Sequence, residues 1–194
     1  MMAVSRIACS CAAHSKWHPD PPMRYLDKLK AGGLPIDWAA LLVGWEGVDE
    51  RGKLISSGEA TIYAAEQLDR APPEDYSKTL DLAAADLDDE DEIRRALRAL
   101  AGSDPEPRGA RPWRLLLLKE TLQELSGDPI HDLIRLTDFW SSFGYPNDMP
   151  HVVQGAGNRM SPGEYYTEAN LKDILRRHLE WAEKEEQALR QSRP

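Results

Sequence analysis

Cysteine is all but absent from this 194-residue chain, with Cys9 and Cys11 the only two. One residue apart, they cannot close a disulfide of ordinary geometry, so no disulfide framework is expected, as suits a reducing cytoplasm. Phenylalanine is equally scarce, and both copies, Phe139 and Phe143, fall within "DFWSSFGYPNDMP" at 138–150. No apolar run approaches the roughly 20 residues that carry a helix across a bilayer, so no membrane partner is expected. Bases are short as well, 24 against 33 acids, for a net charge of -9. Such a surface repels a phosphate backbone, and nucleic acid is not the expected partner. There is no strand-like alternation and no internal repeat. G-x-S-x-G, the phosphate-binding loop and H-E-x-x-H are all missing, and Gly-Ala-Gly at 155–157 follows no strand.

What the chain does have is helix-forming composition at a length that suits one domain with a real core. Residues 1–33 show little periodicity and read as an N-terminal extension, with Met23 an alternative start to Met1. The segment after Arg6 is too polar for a secretion signal. From residue 34 to about 190 the pattern is helical. Ile36, Ala39, Ala40 and Val43 recur at helical spacing. Ser56 with Glu59 reads as a capping box before Ile62, Ala65 and Leu68. Asp88 or Asp89 caps a helix striped by Ile93, Ala96, Leu97 and Leu100. The Pro/Gly-rich segment 102–112 is expected to be a loop dividing two helical halves. "WRLLLLKETLQELSG" then reads as the central helix. Asp128 and Pro129 open another, with Leu133, Leu136, Trp140 and Phe143 in phase and Gly144 at its end. Residues 145–166 read as a long loop with one turn near Met149. Thr167 caps the last helix, striped by Leu171, Ile174, Leu175, His178 and Ala182. The expected fold is all-α, a compact single-domain bundle of six to eight helices.

Chemistry-bearing residues fall into four groups. Cys9, Cys11, His14 and His18 form a conceivable zinc set, but C-x-C is tighter than the usual ligand spacing, and no metal or other cofactor is expected. His18-Pro19-Asp20 matches the tripeptide of the J-domain that stimulates Hsp70 chaperones, without the basic helix that precedes it there. His131, Asp138, Asp148 and His151, with Asp132 nearby, are the candidates for a hydrolytic or metal site. Asp132 and Asp138 point about 240° apart on a helix, so they share no face. The fourth group is the acid-rich window Glu74–Glu92, with nine acids and one base, Lys78. Asp86, Asp88, Asp89, Glu90, Asp91 and Glu92 are its densest part. A solvated helix face is the ordinary reading of such a run; a docking surface for a basic partner is the functional one. Asn147 and Asp148, presented by the turn after the aromatic stretch, join that candidate surface.

Two segments read together. "IDWAALLVGWEGVDERGKLISSGEATIYAAEQL" places a Trp helix, a glycine and Leu-Ile-Ser ahead of an Ala-rich helix, and the later helix ends in Phe-Gly-Tyr-Pro. Trp38, Gly44, Ile55, Ser56, Ala60, Tyr63, Ala64, Phe143, Tyr145 and Pro146 in that order resemble a bacterial family of small helical proteins classed as a domain of unknown function. The resemblance spans about residues 34–186. It implies an immunity-type protein that neutralises a toxin, and with it a cytoplasmic, non-enzymatic role and a basic toxin domain as partner. A metal-dependent enzyme around His131 and His151, and a self-associating structural module, are the alternatives from other classes. Oligomeric state is left open by the residues.

Overall fold

The computed structural model describes residues 24–48, 51–156 and 159–192, and among them it contains nine α-helices, one 3-10 turn and no strand. The helices are α1 Tyr25–Ala31, α2 Trp38–Glu46, α3 Ser57–Gln67, α4 Pro73–Ala83, α5 Glu90–Ala101, α6 Pro105–Gln123, α7 Pro129–Ser141, α8 Pro162–Tyr165 and α9 Glu168–Gln191, with the 3-10 turn Leu68–Arg70 between α3 and α4. The all-α class is as expected. The four-residue α8, inside the segment read as loop, and α1, inside the segment read as extension, bring the number above eight. The candidate zinc set and His18-Pro19-Asp20 lie outside the described residues.

Local chemistry starts four of these helices where expected. Ser56 and Glu59 form a reciprocal capping box on α3. Asp89, Asp128 and Thr167 each accept from a backbone N–H three residues on, at α5, α7 and α9. Each satisfies one of the donors that a helix start leaves orphaned.

The middle of the molecule is α2 against α6, the most extensive helix contact. Every residue from Ala39 to Trp45 is buried. A helix apolar on all sides has no solvent face and must be enclosed. The two axes approach closely because glycine faces glycine-sized space. A Cβ on Gly109 would lie 2.3 Å from the Ala39 carbonyl oxygen, and one on Gly44 2.5 Å from the Trp113 ring. Trp113 Nε1 donates to the Ala40 carbonyl at 2.6 Å across this crossing. Helices α3 and α5 pack on α2, α4 packs on α3 and α5, and α7 and α9 pack on α6.

Two boundaries differ from the sequence reading. The segment 102–112 is a loop only to Asp104; α6 begins at Pro105 and runs through Pro112. Pro105 and Pro107 occupy the first turn, where the missing N–H has no acceptor to lose. Pro112 does forfeit the bond to the Arg108 carbonyl, but it is buried against the rest of the core, and packing outweighs that loss. The reversal from α5 is made by Gly102 (φ 78) and Asp104 (φ 52), both in the left-handed region. Upstream, Leu26 and Leu29 of α1 are buried in the same core, so the helical unit reaches back before residue 34.

Of the two phenylalanines, Phe139 is the buried one, while Phe143 is half-buried. α7 gives up helical geometry after Ser141, and the Tyr145 N–H returns to the Trp140 carbonyl at 3.0 Å, closing the turn that Gly144 permits at φ 67.

Candidate functional site

The acid-rich window forms the corner between α4 and α5. Asp86, Asp88, Asp89, Glu90 and Asp91 line one shallow exposed hollow with Arg94. Part of the cluster builds the turn itself. Asp89 accepts from the Glu92 N–H at 2.9 Å, Glu92 accepts from the Asp86 N–H at 3.2 Å, and Asp86 accepts from the Asp88 N–H at 3.1 Å. Two bases reach the carboxylates of the corner: Lys53 bonds Glu90 at 2.6 Å and Arg94 bonds Asp91 at 2.6 Å. The Lys53 hydrogen bond, then its charge, holds the Glu90 carboxyl below the usual range. The Asp88 carboxylate has no partner among the described residues and points its charge at solvent.

Asp148 lies elsewhere. It borders a cleft of about 660 Å³ lined by α2, α6, α9 and the end of α7, which shares no lining residue with the acidic hollow. Arg114 donates to both Asp148 oxygens, at 3.1 and 2.7 Å, and Trp181 Nε1 donates to one at 3.3 Å. One turn earlier, Arg111 makes a two-point contact with Glu185, at 2.7 and 2.8 Å. Arg114 and Glu185 are both buried, and the Arg114 guanidinium carbon sits 4.9 Å from the Trp181 ring. Paired, hydrogen-bonded ions of this kind lock α6, α9 and the 145–151 turn together. Asn147 is exposed beside them.

The four residues of the alternative site do not converge: His131, Asp148 and His151 meet different neighbours, and Asp138 makes no side-chain bond to the described residues. His131 is exposed and its Nδ1 is 3.5 Å from Asp132. Asp132 is buried; burial works to raise its carboxyl, but the Ser126 and Gly127 N–H groups and the Ser126 hydroxyl outweigh it, so the group sits below the usual range. It organises the turn between α6 and α7. Asp138 is exposed. His151 is buried, with Nε2 2.8 Å from the Thr137 hydroxyl. That hydroxyl already donates to the Leu133 carbonyl, so the network assigns the proton to His151 Nε2 and leaves its buried Nδ1 without a partner. No hydrogen bond or ion pair joins any two of His131, Asp138, Asp148 and His151, and no group of three or more metal-ligating side chains occurs among the described residues.

The partner of His151 that sequence reasoning missed is His178. Their ring centroids are 5.5 Å apart. His178 donates from Nδ1 to the Ile174 carbonyl at 2.7 Å and accepts the Trp140 indole N–H at Nε2, which fixes it neutral. Burial, and secondarily the neighbouring His178, pushes His151 down to about 3. Burial pushes His178 down to about 4, against a smaller opposing effect of the Ile174 carbonyl. The Arg111–Glu185–Arg114 chain was missed too. Its one signal in sequence is Glu185, seven residues after His178 and in phase with the buried stripe of α9.

Fold and surface together define an all-helical protein with an acid-rich exposed corner and a separate ion-paired cleft. The chain belongs to a bacterial family: residues 26–186 match the family described as "Uncharacterized protein conserved in bacteria (DUF2247)". The match begins at Leu26, the first buried residue of α1. No curated protein and no solved structure matches the chain.

Proposed function

We propose that this protein is a non-enzymatic, immunity-type binding protein of the bacterial cytoplasm that neutralises a basic toxin domain by covering its surface. The observation that carries the reading is the acidic corner. Asp86, Asp88, Asp89, Glu90 and Asp91 are all exposed around one hollow, and Asp88 is unpaired among the described residues. Carboxylates left outward on a chain of net charge -9 attract a positive surface and speed its encounter. Asp148, held by Arg114, is a positioning residue for the 145–151 turn in this reading and not a contact of the corner. Asn147 stays with Asp148 on that turn.

The test begins with the protein that co-purifies from the native strain. Its association rate is measured against salt with wild type and with Asp88→Lys/Asp91→Lys. Asp89 is left intact because it caps α5. Slower association and a flatter salt dependence support the reading. Equal rates at every salt concentration sink it.

A further inference from the structure

The acidic corner adjoins a helix face that no described residue covers. Tyr76, Leu80 and Ala84 follow one another at intervals of four along α4 and its C-terminal cap, so they share a face. Tyr76 is 49% exposed and Leu80 44%, and Leu87, in the turn that follows, is 52% exposed. Single exposed apolar side chains are common, but side chains in line along one helix are a patch. The inner face of α4, by contrast, is finished: Thr79 and Leu82 are fully buried against the neighbouring helices. Asp81, next to Leu80 in the chain, is exposed, and so are Asp86 and Asp88 on either side of Leu87. The one base of the stretch, Lys78, is bound to Asp75 at 2.8 Å.

We propose that this face is the apolar centre of the docking surface, and that its occupant is a basic amphipathic helix of the partner. The inference rests on the acidic-docking reading above and names the shape and chemistry of what docks. Residues four apart along a helix project at intervals of about 6 Å, which is the spacing at which an amphipathic helix presents its own apolar anchors. The exposed acids that border the stripe then select bases on the rim of that helix. A second copy of this chain fits worse, since each copy carries a net charge of -9 and the same acids would face each other.

The test uses the full chain and two 18-residue peptides of identical Lys/Leu composition. One has Leu at helical spacing, and the other is permuted to destroy the stripe. Affinities are measured by fluorescence anisotropy at about 0.15 M salt, where long-range charge is screened. Binding of the striped peptide at least tenfold tighter than the permuted one, and a loss of about tenfold with Tyr76→Ser/Leu80→Ser, support the proposal. Both substitutions are at exposed positions, and an unchanged melting curve verifies the fold. Indistinguishable peptides, or no effect of Tyr76→Ser/Leu80→Ser, overturn it. In that case a weakened complex with Asp88→Lys/Asp91→Lys still leaves charge-driven docking standing, so the two readings fail separately. A dimer in sedimentation that Tyr76→Ser/Leu80→Ser dissolves assigns the face to a second copy and also overturns the proposal.

Discussion

The α6–α9 seam and the α4–α5 corner both concentrate charged residues, and they use them in opposite ways. In the seam, Arg111 pairs with the buried Glu185 at two points, and the buried Arg114 lies against Trp181. In the corner, Asp86, Asp89 and Glu92 are spent on the turn, while Asp88 is directed at water. Charge that is desolvated and paired holds helices in place and resists change. Charge that stays hydrated costs the fold little and remains open to a partner. The difference predicts that the seam is where substitution unfolds the protein, and the corner is where substitution alters only what it binds.

The largest effect is expected where that seam meets the core. Trp113→Ala removes a fully buried indole and its bond to Ala40, and should cost about 3–5 kcal/mol in denaturant unfolding. A loss below about 1 kcal/mol would mean that the α2–α6 crossing does not anchor the fold. Next, Glu185→Gln leaves Arg111 and the buried Arg114 short of a counter-charge. With Arg111 partly open to water, about 2–3 kcal/mol is expected. A neutral outcome would put the seam in the same category as the corner.

Acid should act on the same side of the molecule. His151 and His178 titrate near 3 and near 4 in the folded chain, against about 6.5 when unfolded. The unfolded state therefore binds more protons in between. Stability is fully present above pH 6.5 and falls as pH drops toward 4, by up to about 1.4 kcal/mol per pH unit for each histidine. His151→Gln should flatten that slope by about half. An identical slope would remove the buried pair as its cause.

Phe143→Ala tests the border between the two behaviours. The ring is only half-buried at the lip of the cleft, so about 1–2 kcal/mol is expected, less than full burial would give. Smallest of all, Asp88→Lys should shift stability by no more than about 0.5 kcal/mol, since its side chain is exposed and makes no bond to the described residues. Asp89→Ala, one residue away, should cost about 1 kcal/mol because it removes the α5 cap. If Asp88→Lys destabilises as much as the cap loss, the corner is structural.

Much of the architecture was legible because its causes are local. Ser56 and Glu59, Asp89, Asp128 and Thr167 start their helices through contacts three residues away, and the stripes of α5 and α9 follow from a period that sequence displays. The start of α6 was not legible. Three prolines argue for a loop, and only their exact helical positions, together with burial of Pro112, reverse that argument. Among candidate site residues, the six acids of the corner were legible as a cluster because they are nearly contiguous. The partners of Asp148 and His151 were not, because Arg114 and His178 lie far away in sequence.

By itself, then, the sequence determined helix class, the capped starts of α3, α5, α7 and α9, the sign of the surface and the place of its densest charge, all of which depend on neighbours within a turn or two. Tertiary structure alone decided which charges are silent. Arg114, Glu185, Asp132 and His151 look as available as Asp88 in the one-letter code. Burial and a partner tens of residues away fix Arg114 and Glu185, burial and the Ser126 and Gly127 N–H groups fix Asp132, and burial holds His151 neutral. The free energy of a charge is set by its distance from water and from its counter-charge, and both distances exist only once the helices have packed.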